Sequence, residues 1–167
     1  IYFGDGFQTL VDPTDTRVIY ALYQRGGLGK STTNGVYFYD AITGISPSDR
    51  KGWDTPIAFD PANSQILFFG TNRLYKTTNA AENWYPISPD LTNGPHAGNL
   101  TFGTLTTISV SPFDSDIIFV GTDDGKAWVT QNGGTNWADI SAGVPNHWVT
   151  KILASRENAN TVYLTLS

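Results

Sequence analysis

Asp12-Pro-Thr-Asp-Thr-Arg-Val-Ile-Tyr20 returns as Asp60-Pro-Ala-Asn-Ser-Gln-Ile-Leu-Phe68, again as Ser111-Pro-Phe-Asp-Ser-Asp-Ile-Ile-Phe119, and in worn form as Ser155-Arg-Glu-Asn-Ala-Asn-Thr-Val-Tyr163. The copies stand 48, 51 and 44 residues apart. Self-similarity at that period is the mark of a solenoid, a propeller or an array. Each copy has the same grammar. A short apolar strand (Ile57-Ala-Phe, Ile108-Ser-Val) runs into a turn of Pro, Asp, Asn and Ser, residues that preset the backbone or bond back onto it. A strand rich in β-branched and aromatic residues follows (Ile66-Leu-Phe-Phe, Ile117-Ile-Phe-Val).

The second and third copies carry the rest of the unit. Gly70-Thr71 and Gly121-Thr122 close the second strand; Leu74-Tyr-Lys-Thr77 and Ala127-Trp-Val-Thr130 read as a third. Trp84-Tyr-Pro-Ile-Ser and Trp137-Ala-Asp-Ile-Ser read as a fourth. Four antiparallel strands at this spacing make the blade of a β-propeller. The predicted fold is all-β, with blade-like repeats over 7–53, 56–88, 106–141 and 149–167: about three blades and part of a fourth. Propellers close with more blades than that. The expectation is therefore an incomplete ring, a segment of a longer propeller whose remaining blades come from the same parent chain or another one. The absence of any Met accords with a segment.

The turn between third and fourth strands carries a family likeness. Thr130-Gln-Asn132-Gly-Gly134-Thr-Asn-Trp137 resembles the Asp-box (BNR) hairpin of sialidases, sortilin-like receptors and xyloglucanase-type glycosidases. Thr77-Thr-Asn79-Ala-Ala81-Glu-Asn-Trp84 is a second copy with Ala for Gly, and Ser31-Thr-Thr33-Asn-Gly35-Val-Tyr-Phe38 a degraded third. Asn replaces Asp in both good copies, so the resemblance implies a fold-stabilising turn whose Trp packs between blades, not a catalytic one. Ile87-Ser-Pro-Asp-Leu-Thr92, Val120-Gly-Thr-Asp-Asp-Gly125 and Pro145-Asn-His-Trp-Val-Thr150 extend the likeness to glycosyl-hydrolase-like bacterial secreted proteins. That resemblance implies a secreted or periplasmic location.

Charge and composition remove several functions. A net charge of −5, with ten scattered basic residues, disfavours nucleic acid. No apolar run is long enough for a membrane span. With no Cys there is neither a disulfide framework nor thiol chemistry. No His, Asp and Glu spacing suits a metal, and no cofactor is expected. Asp123-Asp124-Gly125 reads as a type I′ hairpin signal. The insertion from Pro89 to Gly103 holds His96 and the acceptor-like Asn99-Leu-Thr101.

Blade geometry turns the repeat into a map. Residues just before each innermost strand converge at the channel rim; eight positions before the turn's Pro lie Asp5, Trp53, Thr104 and, in the worn copy, Trp148. Their neighbours include Asp54 and His147. Two indoles, two carboxylates and an imidazole would suit a carbohydrate. Arg25, Arg73 and Asp123-Asp124, in equivalent second-to-third-strand turns, extend the surface as an outer ring. Gly4-Asp5-Gly6-Phe7 resembles the loop bearing a catalytic carboxylate in xyloglucanase-type propellers. Two functions follow. The favoured one is a non-catalytic module binding a polysaccharide or a protein ligand; the alternative is a glycoside hydrolase with Asp5 as one carboxylate.

Overall fold

The computed structural model describes residues 4–95 and 103–167; His96, Asn99 and Thr101 lie outside them. The first sheet holds β1 (Gly6–Val11), β2 (Ile19–Tyr23), β3 (Gly27–Ser31) and β4 (Tyr39–Asp40), hydrogen-bonded in chain order. The second repeats it with β5 (Ile57–Phe59), β6 (Leu67–Gly70), β7 (Leu74–Thr77) and β8 (Tyr85–Pro86). The third has β9 (Leu105–Val110), β10 (Ile118–Thr122), β11 (Ala127–Thr130) and β12 (Ala138–Asp139). A fourth sheet pairs β13 (Val149–Ala154) with β14 (Val162–Leu166). Every pairing is antiparallel. The architecture is that of β-propeller blades: three complete four-stranded sheets and a two-stranded one.

The repeated turn does what its residues dictate. Asp12 Oδ1 accepts the Thr14 N–H at 2.8 Å, and Asp60 Oδ1 accepts those of Ala62 and Asn63 at 2.8 and 3.2 Å. The Ser111 and Ser155 hydroxyls accept the equivalent N–H groups from Phe113 and Glu157. These local bonds end one strand and turn the chain into the next.

The outer strands are shorter than the sequence predicts, two residues each in β8 and β12. Beyond them the ladder passes to side chains. The Leu74 N–H donates to Ser88 Oγ at 2.8 Å and the Ala127 N–H to Ser141 Oγ at 2.9 Å. Pro86, which has no N–H to give, sits on this edge, where a sheet tolerates it. Asp123-Asp124-Gly125 also departs from its prediction. Of these three only Gly125 has positive φ (84°), and Thr122 closes the loop onto Lys126 through its hydroxyl, so the turn is longer than a type I′ pair.

The core lies between blades, not within them. Tyr20, Leu22 and Leu28 of the first blade pack with Leu67, Phe69, Tyr75 and Trp84 of the second. Phe68 and Leu74 meet Leu105, Ile108, Ile118 and Val120 across the next junction, and Phe119 and Ala127 meet Ile152 and Ala154 across the last. Strands β6 and β10 are buried throughout because a neighbouring blade covers each face. Gly70 shows how close the blades come: a Cβ there would lie 2.7 Å from Pro56 Cγ and 2.9 Å from Leu105 Cβ. Outside these junctions Val11, Leu153 and Tyr163 stay exposed. Among the described residues no helix is long and apolar enough to cross a membrane.

Candidate functional site

Three of the four residues mapped to the rim come together. Trp53, Thr104 and Trp148 line one cavity of about 310 Å3, with Gly52, Asp54, Thr106, Asp123 and Thr150 completing its wall. Both indoles are open to solvent, Trp53 at 46% and Trp148 at 38% exposure. Trp53 keeps this exposure although Phe7 and Arg25 of the first blade pack against it. A second hollow of about 410 Å3 adjoins it, sharing Asp54, Thr106 and Thr150 and walled by the inner strands β1, β5, β9 and β13. The four inner strands therefore face one concavity, and the first cavity opens at its rim.

Two lining residues are set by backbone irregularity. In β9, Thr107 pairs with Gly121 and Leu105 with Thr122, leaving Thr106 as the extra residue. In β13, Val149 pairs with Leu166 and Lys151 with Thr165, leaving Thr150. A bulge re-aims the unpaired residue, and both threonines line the cavity. Thr106 spends its hydroxyl on the Gly121 carbonyl at 3.1 Å and on that of Val149.

Trp53 is held from three sides. Its carbonyl accepts the Arg25 N–H at 3.1 Å, the Arg25 guanidinium lies 5.8 Å from its ring centroid, and Phe7 meets it edge-to-face at 6.5 Å. Arg25 reaches this place in a left-handed conformation, φ 60°. Trp148 is fixed through its carbonyl, which accepts the Ser167 N–H at 3.1 Å.

The two carboxylates of the cavity differ in setting. Asp123 is buried, and its Oδ1 accepts the Thr104 N–H at 2.9 Å while the Thr104 hydroxyl approaches Oδ2 at 3.4 Å. Asp54 has no hydrogen-bond donor on its carboxylate among the described residues, and partial burial pushes its carboxyl above the usual range. Asp54 is nonetheless an exposed residue, open to a donor from solvent or from a ligand.

The remaining predicted residues lie elsewhere. Asp5 opens onto a separate hollow of about 250 Å3 with Gly4, Gly6, Tyr23 and Phe38, on the uncovered side of the first blade, where its N–H donates to Gln24 Oε1 at 2.9 Å. It is not brought to Asp54. His147 is exposed, lines neither rim cavity nor channel hollow, and turns its N–H onto the Pro145 carbonyl. Arg73 faces inward to Asp49, Nε to Oδ1 3.7 Å, where the same carboxylate accepts the Tyr75 hydroxyl at 2.6 Å. Asp123, expected in the outer ring of the surface, lines the cavity itself. Thr150 escaped the sequence map, since a bulge has no residue signature.

The three polar turns after β3, β7 and β11 share one wiring. Thr130 Oγ1 donates to Asn132 Oδ1 at 3.0 Å and accepts the Gly134 N–H at 3.0 Å, while Asn132 Oδ1 accepts the Asn136 N–H at 2.9 Å. Thr77 and Asn79 repeat this onto Ala81 and Asn83 at 2.8, 3.1 and 3.0 Å. Ser31 and Thr33 repeat its backbone half onto Gly35 and Tyr37. The Trp84 indole then donates to the Ala41 carbonyl of the preceding blade at 2.8 Å, and Trp137 to that of Ile87 at 3.0 Å. Trp84 is buried; Trp137 is half-buried.

No family model matches the chain, and no curated protein matches its sequence. Solved structures do. An ancestral GH74 enzyme superposes with TM-score 0.66 at 24% identity, covering 96% of this chain and 22% of that one. An outer-coat vertex structure of COPII on membranes gives 0.57 at 14% identity over 89% of this chain and 40% of that one. The GH74 xyloglucanase from Xanthomonas campestris gives 0.46 at 16% identity, covering 96% and 35%. The fold is a propeller's. The chain spans about a fifth of the length of the ancestral enzyme it matches.

Proposed function

We propose that this propeller segment is a non-catalytic carbohydrate-binding module whose site is the rim cavity. One observation carries the reading: two exposed indoles, Trp53 and Trp148, open onto a single cavity otherwise lined by threonines and carboxylates. Indole faces stack on the apolar faces of sugar rings, while hydroxyls and carboxylates take the sugar's hydroxyl protons. Arg25 supports the site by holding Trp53, and His147 lies outside the cavity wall. Arg73 serves the fold through Asp49. We read the three wired turns as Asp-box turns whose role is to lock neighbouring blades. The exposed faces of the first and fourth blades are the places for further blades, of the same parent chain or another. The reading carries a secreted or periplasmic location, where polysaccharide is met.

Titration of tryptophan fluorescence with a panel of neutral oligosaccharides tests it. At least one class should quench or shift the emission, and Trp53→Ala and Trp148→Ala should each weaken that binding about tenfold or more with the fold intact by circular dichroism. Variants that keep wild-type affinity would remove the site. Binding confined to a protein partner would give the cavity a different ligand class.

A second reading, a glycoside hydrolase, has its own supporting observation. A carboxyl raised by burial (Asp54) and a hydrogen-bonded carboxylate (Asp123) share the cavity, the kind of pair used as acid and base on a glycosidic bond. Asp5 belongs to this reading only if a neighbouring blade brings substrate to its own hollow. Release of reducing ends that survives both Asp54→Asn and Asp5→Asn would exclude both assignments.

A further inference from the structure

We infer that the rim cavity selects a saccharide bearing a protonated amine, its ammonium on Asp54 and its ring against an indole. The inference rests on the carbohydrate reading above and deepens it.

Three observations converge. The Asp54 carboxylate receives no donor from the described residues, although it borders both the rim cavity and the channel hollow. Among the described residues no basic side chain lines the rim cavity, while two carboxylates do. Its open aromatic surface is indole, the side chain whose face attracts cations most strongly.

The nearby cations are placed elsewhere. Arg25 lies over the Trp53 ring, and Lys51 directs its ammonium to the Ser46 and Asp49 carbonyls at 3.0 and 3.2 Å. Lys151 lines the channel hollow but not the rim cavity. Asp123 has partners already, through Thr104, so Asp54 is the group a ligand ammonium would meet. A neutral sugar offers Asp54 only hydroxyl donors. An ammonium offers three donors and the complementary charge, and a charge-assisted bond is about twice as strong as a neutral one. Asp54 is exposed at the cavity, so a ligand ammonium can reach it.

The test compares fully deacetylated glucosamine oligomers with N-acetylated oligomers of the same length and with cello-oligosaccharides, by calorimetry at low salt. Wild type, Asp54→Asn and Trp53→Ala are measured, each checked for folding by circular dichroism. The amine form should bind wild type about tenfold tighter than its acetylated counterpart, a difference of about 1.4 kcal/mol. Asp54→Asn should abolish that preference while keeping the affinity for neutral oligomers. Trp53→Ala should weaken both forms. The preference should also shrink as salt is raised.

Equal affinity for the two forms on wild type, with neutral binding present, overturns the amine selectivity and leaves the carbohydrate reading standing. A preference that survives Asp54→Asn overturns the assignment to Asp54. Binding of no oligosaccharide overturns both readings. A short lysine peptide that binds more tightly than the amino oligomer overturns the saccharide as the source of the ammonium.

Discussion

Replacing Trp84 measures how much of the fold's stability resides between blades. The side chain is 4% exposed, contacts Phe69 at a ring-centroid distance of 5.7 Å, and donates its indole N–H to the Ala41 carbonyl of the preceding blade at 2.8 Å. Truncating a buried Trp to Ala costs about 3–5 kcal/mol. Leaving a buried carbonyl without its donor costs about 1–3 kcal/mol, part of it already inside that range. The expected loss for Trp84→Ala is about 4 kcal/mol. For Trp84→Phe, which keeps most of the ring and loses only the bond, it is about 1–2 kcal/mol. Trp137 makes the same bond, to Ile87 at 3.0 Å, from a half-buried position, so Trp137→Ala should fall between the two, at about 2–3 kcal/mol. Urea denaturation followed by far-ultraviolet circular dichroism reads all three without relying on the deleted fluorophore. In a thermal melt a loss of 4 kcal/mol corresponds to about 8–16 °C for a chain of this size. A Trp84→Ala protein within about 1 kcal/mol of wild type, or one no less stable than Trp137→Ala, would refute the account of inter-blade anchoring.

Four further outcomes are expected. Gly134→Ala should cost about 2–3 kcal/mol, since φ is 99° and a Cβ would stand 2.6 Å from the Ile87 carbonyl oxygen. Ala81→Gly, at the same step of its turn with φ 65°, should stay within about 1 kcal/mol of wild type, because relief of strain offsets the lost buried methyl; paired urea midpoints check both. On acidification, the hydrogen bond from Lys30 holds the Glu82 carboxyl below its ordinary 4.5, and burial of Asp90 is outweighed by bonds from Arg50 and Thr92. Their folded values lie below the unfolded ones, so the stabilisation is full above the ordinary carboxylate range and lost as pH falls through the folded values. Glu82→Gln should flatten that part of the pH–stability curve. Asp54 has the opposite sign: burial raises its carboxyl, so the charged form opposes folding at neutral pH. Asp54→Asn should raise the melting temperature at pH 7 and leave it unchanged near pH 3; equal effects at both would show that desolvation of the charge is not the cause.

Much of the architecture was legible because one phrase, repeated four times, fixes both the turn chemistry and the strand spacing. The second and third strands came through clearly. Leu74–Thr77 and Ala127–Thr130 have the predicted bounds, since buried β-branched and aromatic residues leave little choice of register. The outer strands did not, because hydroxyls of Ser88 and Ser141 replace ladder bonds that the pattern of apolar residues cannot distinguish from backbone ones. At the rim, counting back from the turn picks out Trp53, Thr104 and Trp148, which the structure brings to one cavity, and Asp5, which it places in a separate hollow beside Tyr23 and Phe38. An offset gives height along the strand; which blades flank the residue decides what it can meet.

The same comparison of internal copies separates scaffold from site. Where the copies agree, at Asp12, Asp60, Ser111 and Ser155, or at Trp84 and Trp137, each side chain bonds to a turn or to the next blade and is used up by the fold. Where the copies diverge, at Trp53, Thr104 and Trp148, no common packing demand acts, and two large indoles stand in solvent around one cavity. A ring of near-identical blades gives a ligand no reason to prefer one junction over another. Asymmetry has to come from positions the repeat leaves free, and in this chain those positions converge beside Asp54, an exposed carboxylate with no donor among the described residues.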